Sequence, residues 1–590
     1  MRLPRLALLL LVCAVPASGV RAQASRLDSL DAYVQAQMAR RHIRGLSLAI
    51  IQNGRIDAAR AYGVVDDSTR APVTTATLFQ AGSISKPVSA LAALHLVEAG
   101  RLSLDGDVNA QLEGWKVPGN RFTTTEKVTL RRLLSHSAGV TVHGFPGYDT
   151  AGPVPSLVQV LDGAPPANTP PIRVDTVPGA IWRYSGGGFT IMQELVIDVT
   201  RTPFPRFMQQ TVLGPIGMTS SSYEQPPTAA RAALNAGGYY ADRTPVRGRW
   251  HVYPEMAAAG LWTTPTDLAR FAIEIQETLA GRGHGVISPA MARQYLTVQK
   301  APSGLGIIVD SSGHALRFSH GGRDEGFDAQ LVAFAHTGQG AAIMINANDN
   351  SRFMGRLLDY IARAWGWPMD DAAGHPAATR GTPVAAPLLA EYAGYYEAAE
   401  NQMITLAPDA RGDGLETLVD GLPDEAFLAI DSTRFGSSER PARFVVARDG
   451  QGAVGAVVWT SADGREHRMP RIAPLPSTVA PVADPDPALA GRIAAALDAL
   501  HQGGSALAEA RDVTPGAKQD FGAGIGSALD RSGPLTYVGE TDVAGRGLHR
   551  HGGDVARVRY YRMPTSAGDR YLLVHLTAEG LVTDFDVVDR

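Results

Sequence analysis

The sequence predicts an α/β (α+β) fold with a central antiparallel sheet and a helical domain, followed by two smaller modules. A helix and a hairpin come first, and a long helical section separates them from further strands over 305–345. Two stretches rich in proline, 371–387 and 473–487, have the composition of linkers. Because 590 residues are too many for one hydrophobic core, several domains are expected.

The first 24 residues have the pattern of a secretory signal peptide. Two arginines precede an apolar stretch over 6–15, and Ala22 and Ala24 fit an A-x-A cleavage site. The apolar stretch is too short to span a bilayer comfortably, and no other stretch is apolar enough to cross one. We therefore expect a periplasmic or secreted protein with no integral membrane segment after signal removal; an uncleaved anchor is the alternative.

The cysteine content and the net charge exclude several kinds of chemistry. The only cysteine, Cys13, lies inside the predicted signal peptide. The mature chain would then have no disulfide, no thiol nucleophile and no cysteine-ligated metal. A formal net charge of −4 does not favour binding to the negatively charged phosphates of nucleic acid.

Residues 25–370 carry the patterns of the main domain. Apolar residues at near-helical spacing predict a helix over 27–38, and Asn53-Gly54 between two strand-like runs predicts a hairpin. A helix that starts near Ser83 is apolar nearly all round, so it is expected to be buried, with Gly100 ending it. The later elements are predicted to be a surface helix over 266–279 and strands over 305–309, 318–320, 329–334 and 341–345.

Two smaller modules follow the first linker. Residues 388–472 alternate short strands with tight turns, which indicates a small antiparallel barrel or sandwich; two of the turns are Asp449-Gly450 and Asp463-Gly464. Residues 488–590 begin with a helix and continue with strands, as an α+β module of unknown role. Neither module has a motif that indicates chemistry, so both are expected to pack on the main domain or to space it.

The segment Ser83-Ile84-Ser85-Lys86 has the clearest chemical pattern. A serine and a lysine three residues apart at a helix start lie on one face, beside the positive end of the helix dipole. A serine hydroxyl is a weak nucleophile until a base takes its proton, and a lysine can act where burial and nearby charge lower its pKa. Of the five lysines, only Lys86 has a serine three residues before it. The alternative is an ordinary helix start with Ser83 as a cap and Lys86 in solvent.

Three motifs in one order make the chain resemble the serine β-lactamase and penicillin-binding protein superfamily, in particular its class C β-lactamase-like branch. The motifs are Ser83-Ile84-Ser85-Lys86, Tyr184-Ser185-Gly186 and His320-Gly321-Gly322. The likeness covers roughly residues 25–370, with supporting stretches such as 128–139, and it implies a β-lactamase/DD-peptidase-like fold. The stretch 392–396 is similar to the start of the lipocalin-like barrels that many members carry.

The resemblance implies a role for each matching residue. Ser83 would attack the substrate carbonyl with Lys86 as its base. Tyr184 would share the proton transfers and help protonate the leaving group. The backbone N–H groups of Ser83 and Arg323 would form the oxyanion hole.

The implied substrate-binding residues are Gly186, His320, Gly321 and Gly322, and two of them depart from the family pattern. Gly186 stands where the family usually has an asparagine that helps bind amides. His320 stands where β-lactamases have a lysine, so a cation would be present only below about pH 6.5, where an ordinary histidine is protonated. Both departures favour esters over β-lactams.

We therefore expect a serine hydrolase that cleaves ester or amide bonds of a small-molecule or peptide substrate through an acyl-Ser83 intermediate, leaning towards esters. A true β-lactamase or a D-amino-acid peptidase is the first alternative. A catalytically silent protein that binds peptidoglycan or a partner is the second.

No metal or organic cofactor is expected. The chain has no G-x-S-x-G elbow, no H-E-x-x-H zinc helix and no G-x-x-x-x-G-K-[ST] phosphate loop. His549 and His551 lie on one side of a possible strand, but no acidic or cysteine partner was identified near them in sequence. His136 and His143 are interpreted as turn and loop residues.

Overall fold

The computed structural model describes residues 17–588 except 242, 311–314, 349–352, 369–380, 400–401, 410–411, 420–421, 438–441, 461–464, 475–479, 522–528, 530 and 566–567. Contacts divide the chain into two compact units, residues 1–349 with 357–370 and residues 350–356 with 371–590. Among the described residues, no helix combines the length and the apolar character that crossing a membrane requires.

Several predictions from sequence fall on residues outside that description. They are residues 1–16 of the predicted signal peptide, 371–380 and 475–479 of the two linkers, and the turn at Asp463-Gly464. Residues 17–24 of the predicted signal peptide begin the first helix. The domain bounds at 370, 388, 472 and 488 therefore stay a prediction.

The first unit is built on a six-stranded sheet in the order β2-β1-β10-β9-β8-β7, in which every neighbouring pair is antiparallel. The central antiparallel sheet is thus confirmed, with a largely helical region between its first two strands and its last four. The strands are β1 (Gly45–Gln52), β2 (Arg55–Gly63), β3 (Phe79–Gln80), β4 (Tyr148–Asp149), β5 (His251–Val252), β6 (Trp262–Thr263), β7 (Ile308–Asp310), β8 (Arg317–Asp324), β9 (Phe327–Phe334) and β10 (Gly340–Ile345). The helices are α1 (Ala17–Arg41), α2 (Ser85–Glu98), α3 (Leu130–Leu134), α4 (Leu157–Asp162), α5 (Gly186–Thr200), α6 (Phe204–Met208), α7 (Gly214–Ile216), α8 (Ala229–Ala232), α9 (Met256–Ala259), α10 (Pro265–Leu279), α11 (Pro289–Tyr295) and α12 (Phe353–Trp365).

Helix α2 is the buried helix that the sequence predicts. Val88, Leu91 and Leu94 have no exposed surface, and the helix packs against α5 and α9. Burying each such side chain stabilises the fold by about 1.5–3 kcal/mol. The predicted start differs slightly, because Ser83 lies in a short 3₁₀ turn and α2 begins at Ser85.

The prediction of a surface helix over 266–279 is wrong. Leu268, Phe271 and Ile275 of α10 have no exposed surface, and the helix lies against β1 and β10. No residue of this helix is exposed, and its polar residues Asp267, Glu274 and Gln276 are buried as well. The polar residues suggest a solvent-facing side, but the helix covers the apolar face of the sheet.

The second unit contains a closed barrel and an α+β module. The eight barrel strands pair with their neighbours in chain order and the last closes on the first, so of the two predicted architectures the barrel is correct. They are β11 (Gly394–Ala399), β12 (Gln402–Pro408), β13 (Gly414–Val419), β14 (Leu422–Ala429), β15 (Arg434–Ser437), β16 (Arg443–Arg448), β17 (Val454–Thr460) and β18 (Glu466–Pro474), preceded by α13 (Ala386–Tyr392).

The α+β module is confirmed as a four-stranded antiparallel sheet in the order β19-β22-β23-β24, with helices before it. Its elements are α14 (Pro487–Gln502), α15 (Gly504–Glu509), α16 (Pro515–Asp520), β19 (Thr536–Asp542), β20 (His549–Arg550), β21 (Gly553–Asp554), β22 (Arg557–Thr565), β23 (Gly568–Leu576) and β24 (Val582–Val588).

Candidate active site

Ser83 and Lys86 are in direct contact at the start of α2. The Lys86 Nζ donates to Ser83 Oγ at 2.9 Å and to the Ala258 carbonyl oxygen at 2.8 Å. Ser83 is half-buried, whereas Lys86 is only 2% exposed. Both acceptors are uncharged oxygens. The Ala258 carbonyl oxygen, in α9, helps to hold the lysine amine against the serine. The three-residue spacing therefore produces the contact that it predicts.

Strand β8 lies directly against the turn that holds Ser83. A Cβ on Gly322 would come within 1.9 Å of the Ala81 carbonyl oxygen, and one on Gly82 within 2.4 Å of the Arg323 nitrogen. Only glycine allows turn and strand to approach so closely. The backbone of Arg323 is thereby set next to the Ser83 turn, with Gly321 exposed and Gly322 half-buried beside it. The Arg323 side chain, in contrast, makes a bidentate ion pair with Asp328 at 2.7 Å.

Tyr184 lies near the lysine amine, just before α5. Its ring is half-buried, and the Lys86 Nζ is 5.0 Å from the ring centre. The same nitrogen is 2.9 Å from Ser83 Oγ, so the amine is close to both hydroxyl-bearing residues. The structure thus brings together the three residues that the motif order indicates.

Three histidine rings surround Tyr184. The ring centres of His136, His143 and His320 lie 4.3, 4.9 and 6.1 Å from its own. The interpretation of His136 and His143 as turn and loop residues does not include this contact with Tyr184. One signal could have pointed to His136, since it lies in the family-like stretch 128–139.

His320 is buried and neutral over a wider pH range than expected. Its Nδ1 lies 2.5 Å from the Gly321 carbonyl oxygen, and the side chain is 4% exposed. Burial, together with the positive charge of Lys86, lowers the pKa of His320 to about 4. The expectation of a positive charge below about pH 6.5 is therefore wrong, because it assumed an ordinary exposed histidine.

Replacing His320 with glutamine is expected to reduce the loss of stability at low pH. The folded protein protonates His320 only near pH 4, whereas the unfolded chain does so near 6.5. Between these values the unfolded state binds more protons, so stability that is fully present above pH 6.5 is lost as the pH falls towards 4. The loss is about 3 kcal/mol by pH 4.

Urea titrations at pH 7 and pH 4 measure this effect. The unfolding free energy of the wild type minus that of His320→Gln should fall by that amount between the two pH values, because the other titrating groups are common to both proteins. A difference that does not change with pH would contradict a buried, neutral His320.

Gly186 is buried at the N-terminus of α5, under the loop of residues 142–145. Its N–H donates to the His143 carbonyl oxygen at 2.9 Å, and the Gly187 N–H donates to the Val142 carbonyl oxygen at 3.0 Å. A Cβ on Gly186 would lie 2.9 Å from the Phe145 ring and 3.1 Å from the His143 oxygen. The space that the family's asparagine side chain would need is therefore filled by an aromatic ring.

His549 and His551 of the α+β module contact carboxylates. His549 Nδ1 lies 2.6 Å from an Asp554 carboxylate oxygen, and His551 Nδ1 lies 2.6 Å from one of Asp520. Asp554 is only five residues from His549, so the statement that no acidic partner lies nearby in sequence is wrong.

One group in the same module, His575, Asp584 and Asp586, has atoms close enough to hold a metal ion. However, the guanidinium of Arg550 lies 3.1 Å from Asp584 and 3.9 Å from Asp586, and it also contacts Glu397 of the barrel at 3.2 Å. The carboxylates therefore already face a positive charge supplied by the chain.

Comparison with known proteins defines the family. The beta-lactamase family model matches residues 30–364, which is more than half of the chain. Protein flp of Staphylococcus aureus (strain N315) is 22% identical over 358 residues, covering 57% of this chain and 65% of that protein. A beta-lactamase of Pseudomonas fluorescens is 29% identical over 246 residues, covering 41% of this chain and 62% of that protein.

A solved structure shares the fold. The octameric penicillin-binding protein homologue from Pyrococcus abyssi aligns with a TM-score of 0.53 at 21% identity, covering 75% of this chain and 99% of that one. The chain spans slightly less than two thirds of the length of the two relatives above. It belongs to the beta-lactamase family, within the superfamily that includes the penicillin-binding proteins.

Proposed function

We propose that this chain hydrolyses carboxylic esters, and amides more slowly, through an acyl-enzyme on Ser83. The observation that carries the proposal is the 2.9 Å contact between the Lys86 Nζ and Ser83 Oγ, with the Tyr184 ring centre 5.0 Å from the same amine. A nucleophile in contact with its base is the arrangement that covalent catalysis needs.

The chemical steps follow from these positions. In its neutral form Lys86 takes the hydroxyl proton as Ser83 Oγ forms a bond to the substrate carbonyl carbon. The negative charge on the carbonyl oxygen is stabilised by the backbone N–H groups of Ser83 and Arg323. Tyr184 donates a proton to the leaving oxygen or nitrogen as that bond breaks. Water then attacks the carbonyl carbon of acyl-Ser83 while the Tyr184 phenolate takes a proton from it, and Lys86 returns the hydroxyl proton to Ser83 Oγ as the acid leaves, which regenerates the enzyme.

Two features of the cleft support esters as the preferred substrates. Phe145 fills the space beside Gly186 where a side-chain amide would bind a substrate amide. His320 is neutral at pH 7, and the guanidinium of Arg323 is engaged with Asp328. A substrate that offers an amide and a carboxylate would leave those groups poorly paired, and unpaired polar groups weaken binding and catalysis.

A substrate comparison tests this proposal. At pH 7 the kcat/KM for a 4-nitrophenyl ester of a short fatty acid should exceed that for a chromogenic cephalosporin by at least about 100-fold. A protein that prefers the cephalosporin would contradict the ester preference and favour the β-lactamase alternative.

Two variants show whether Phe145 sets the preference. Gly186→Asn alone should lose turnover of both substrates, because its Cβ would meet the Phe145 ring at 2.9 Å. Gly186→Asn with Phe145→Ala should recover turnover and shift the kcat/KM ratio towards the cephalosporin by about tenfold. An unchanged ratio in a folded double variant would show that Phe145 has no part in substrate choice.

We also propose that the chain acts outside the cytoplasm, in the periplasm or as a secreted protein. The signal-like pattern of residues 1–24 supports this location.

We propose as well that the barrel and the α+β module accompany the catalytic unit without supplying catalytic residues.

A further inference from the structure

His136 makes three contacts with three consecutive residues around Tyr184. Its carbonyl oxygen accepts from the Arg183 N–H at 2.8 Å, and its Nδ1 accepts from the Ser185 N–H at 3.1 Å. Between these two bonds its ring stacks on the Tyr184 ring, with centres 4.3 Å apart and planes 29° apart. The residue thus holds the backbone on both sides of the tyrosine and one face of the phenol ring.

The backbone of His136 adopts an uncommon conformation. Its φ is +56°, in the left-handed region that residues other than glycine adopt uncommonly, although asparagine, aspartate and histidine are enriched there. The residue is 3% exposed, so the surrounding structure holds it there. Uncommon backbone conformations of this kind occur at functional sites more often than elsewhere.

The hydrogen bond from Ser185 defines the state of the ring. Nδ1 can accept only when it carries no hydrogen, so the ring is neutral and its hydrogen is on Nε2. Burial, with the nearby charge of Lys86, holds the pKa of His136 well below its usual range, which agrees with the neutral ring. The contact with Tyr184 therefore persists across the neutral pH range.

We propose that His136 is a positioning residue that fixes the phenol of Tyr184 where it can donate a proton to the leaving group. This inference rests on the proposed proton transfer by Tyr184. Small errors in the placement of a proton donor reduce rates strongly, since the donor must lie within hydrogen-bond reach of the leaving atom.

The test compares two esters of the same acid with different leaving groups. An alkyl ester needs its alkoxide protonated, whereas 4-nitrophenolate leaves without a proton. His136→Gly, which tolerates the positive φ, should lower kcat for the alkyl ester on the order of 10- to 100-fold and kcat for the nitrophenyl ester much less. His136→Asn, which keeps an acceptor near Nδ1 and also tolerates this φ, should restore most of the alkyl-ester rate.

A double-mutant cycle separates positioning from general structural damage. In a Tyr184→Phe background, His136→Gly should have no further effect on the alkyl ester, because the hydroxyl that it positions is gone. The control is His95→Gly, which removes a half-buried histidine whose Nδ1 contacts the Val286 carbonyl oxygen; it should not change the ratio of the two rates. Thermal unfolding of each variant shows that it is folded.

Several outcomes would overturn the inference. They are an equal loss for both esters, a loss that persists in the Tyr184→Phe background, and a fully active His136→Gly. If His136→Gly does not fold, the cycle is run with His136→Ala, which also removes the ring and the Nδ1 acceptor: its loss on the alkyl ester must disappear in the Tyr184→Phe background, and no loss would overturn the inference. Tyr184→Phe with a normal alkyl-ester rate would instead contradict the proposed function itself.

Discussion

Replacing Ser83 with alanine is expected to lower kcat by at least about 10³-fold, because no other group would supply the attacking oxygen. The variant should fold normally, since Ser83 is half-buried and its side chain accepts from Lys86, which keeps the Ala258 carbonyl oxygen as a partner. Turnover of a 4-nitrophenyl ester and thermal unfolding measure the two effects.

Covalent labelling identifies the nucleophile directly. A fluorophosphonate should add one adduct to the wild type, and mass spectrometry should find it on the Ser83 peptide. The matched control is Ser89→Ala, which removes a hydroxyl of α2 six residues further along the chain; that hydroxyl donates to the carbonyl oxygens of Lys86 and Ala257. Labelling should persist in the control and vanish in Ser83→Ala. An adduct on a different serine would contradict the proposed site, and a wild type that is neither labelled nor active would favour the silent binding protein.

Replacing Lys86 with methionine is expected to lower kcat by about 10²- to 10⁴-fold, the usual contribution of a general base. Methionine has a similar length and no charge, so it should fit the buried position. The loss of the amine leaves the Ala258 carbonyl oxygen without its donor, which costs about 1–3 kcal/mol of stability.

The rate of fluorophosphonate labelling separates the loss of the base from a loss of fold. Lys86→Met should label Ser83 far more slowly than the wild type while remaining folded at 25 °C. Lys127→Met is the control, because Lys127 also donates to a backbone carbonyl oxygen, that of Thr123 at 2.8 Å, and lies outside the Ser83 turn. Rapid labelling in Lys86→Met would show that another group takes the proton.

Tertiary contacts explain why the cleft differs from what the motifs alone indicate. From the motifs alone, Gly186 indicates that a side-chain amide is absent, and His320 indicates a cation that depends on pH. In the folded chain the first position is filled by Phe145, and the second is a buried ring with its pKa lowered to about 4. Both features depend on residues far away in sequence, so the motifs could not predict them.

The sequence by itself determined the features that depend on local geometry. Helical spacing put Ser83 and Lys86 on one face, Asn53-Gly54 specified the first hairpin, and the strand patterns after 305 matched the last four strands of the sheet. These features depend on residues only a few positions apart, and φ/ψ preferences and side-chain periodicity act over that range.

Only the tertiary structure decided the features that depend on packing. His136 contacts Ser185 across 49 residues of chain, and the polar residues of α10 are buried with its apolar ones because the helix packs against β1 and β10. The choice of a closed barrel over a sandwich depends on whether β18 pairs with β11. Burial, pKa and long-range contacts are properties of the assembled core, since the same histidine has a different environment in each possible fold.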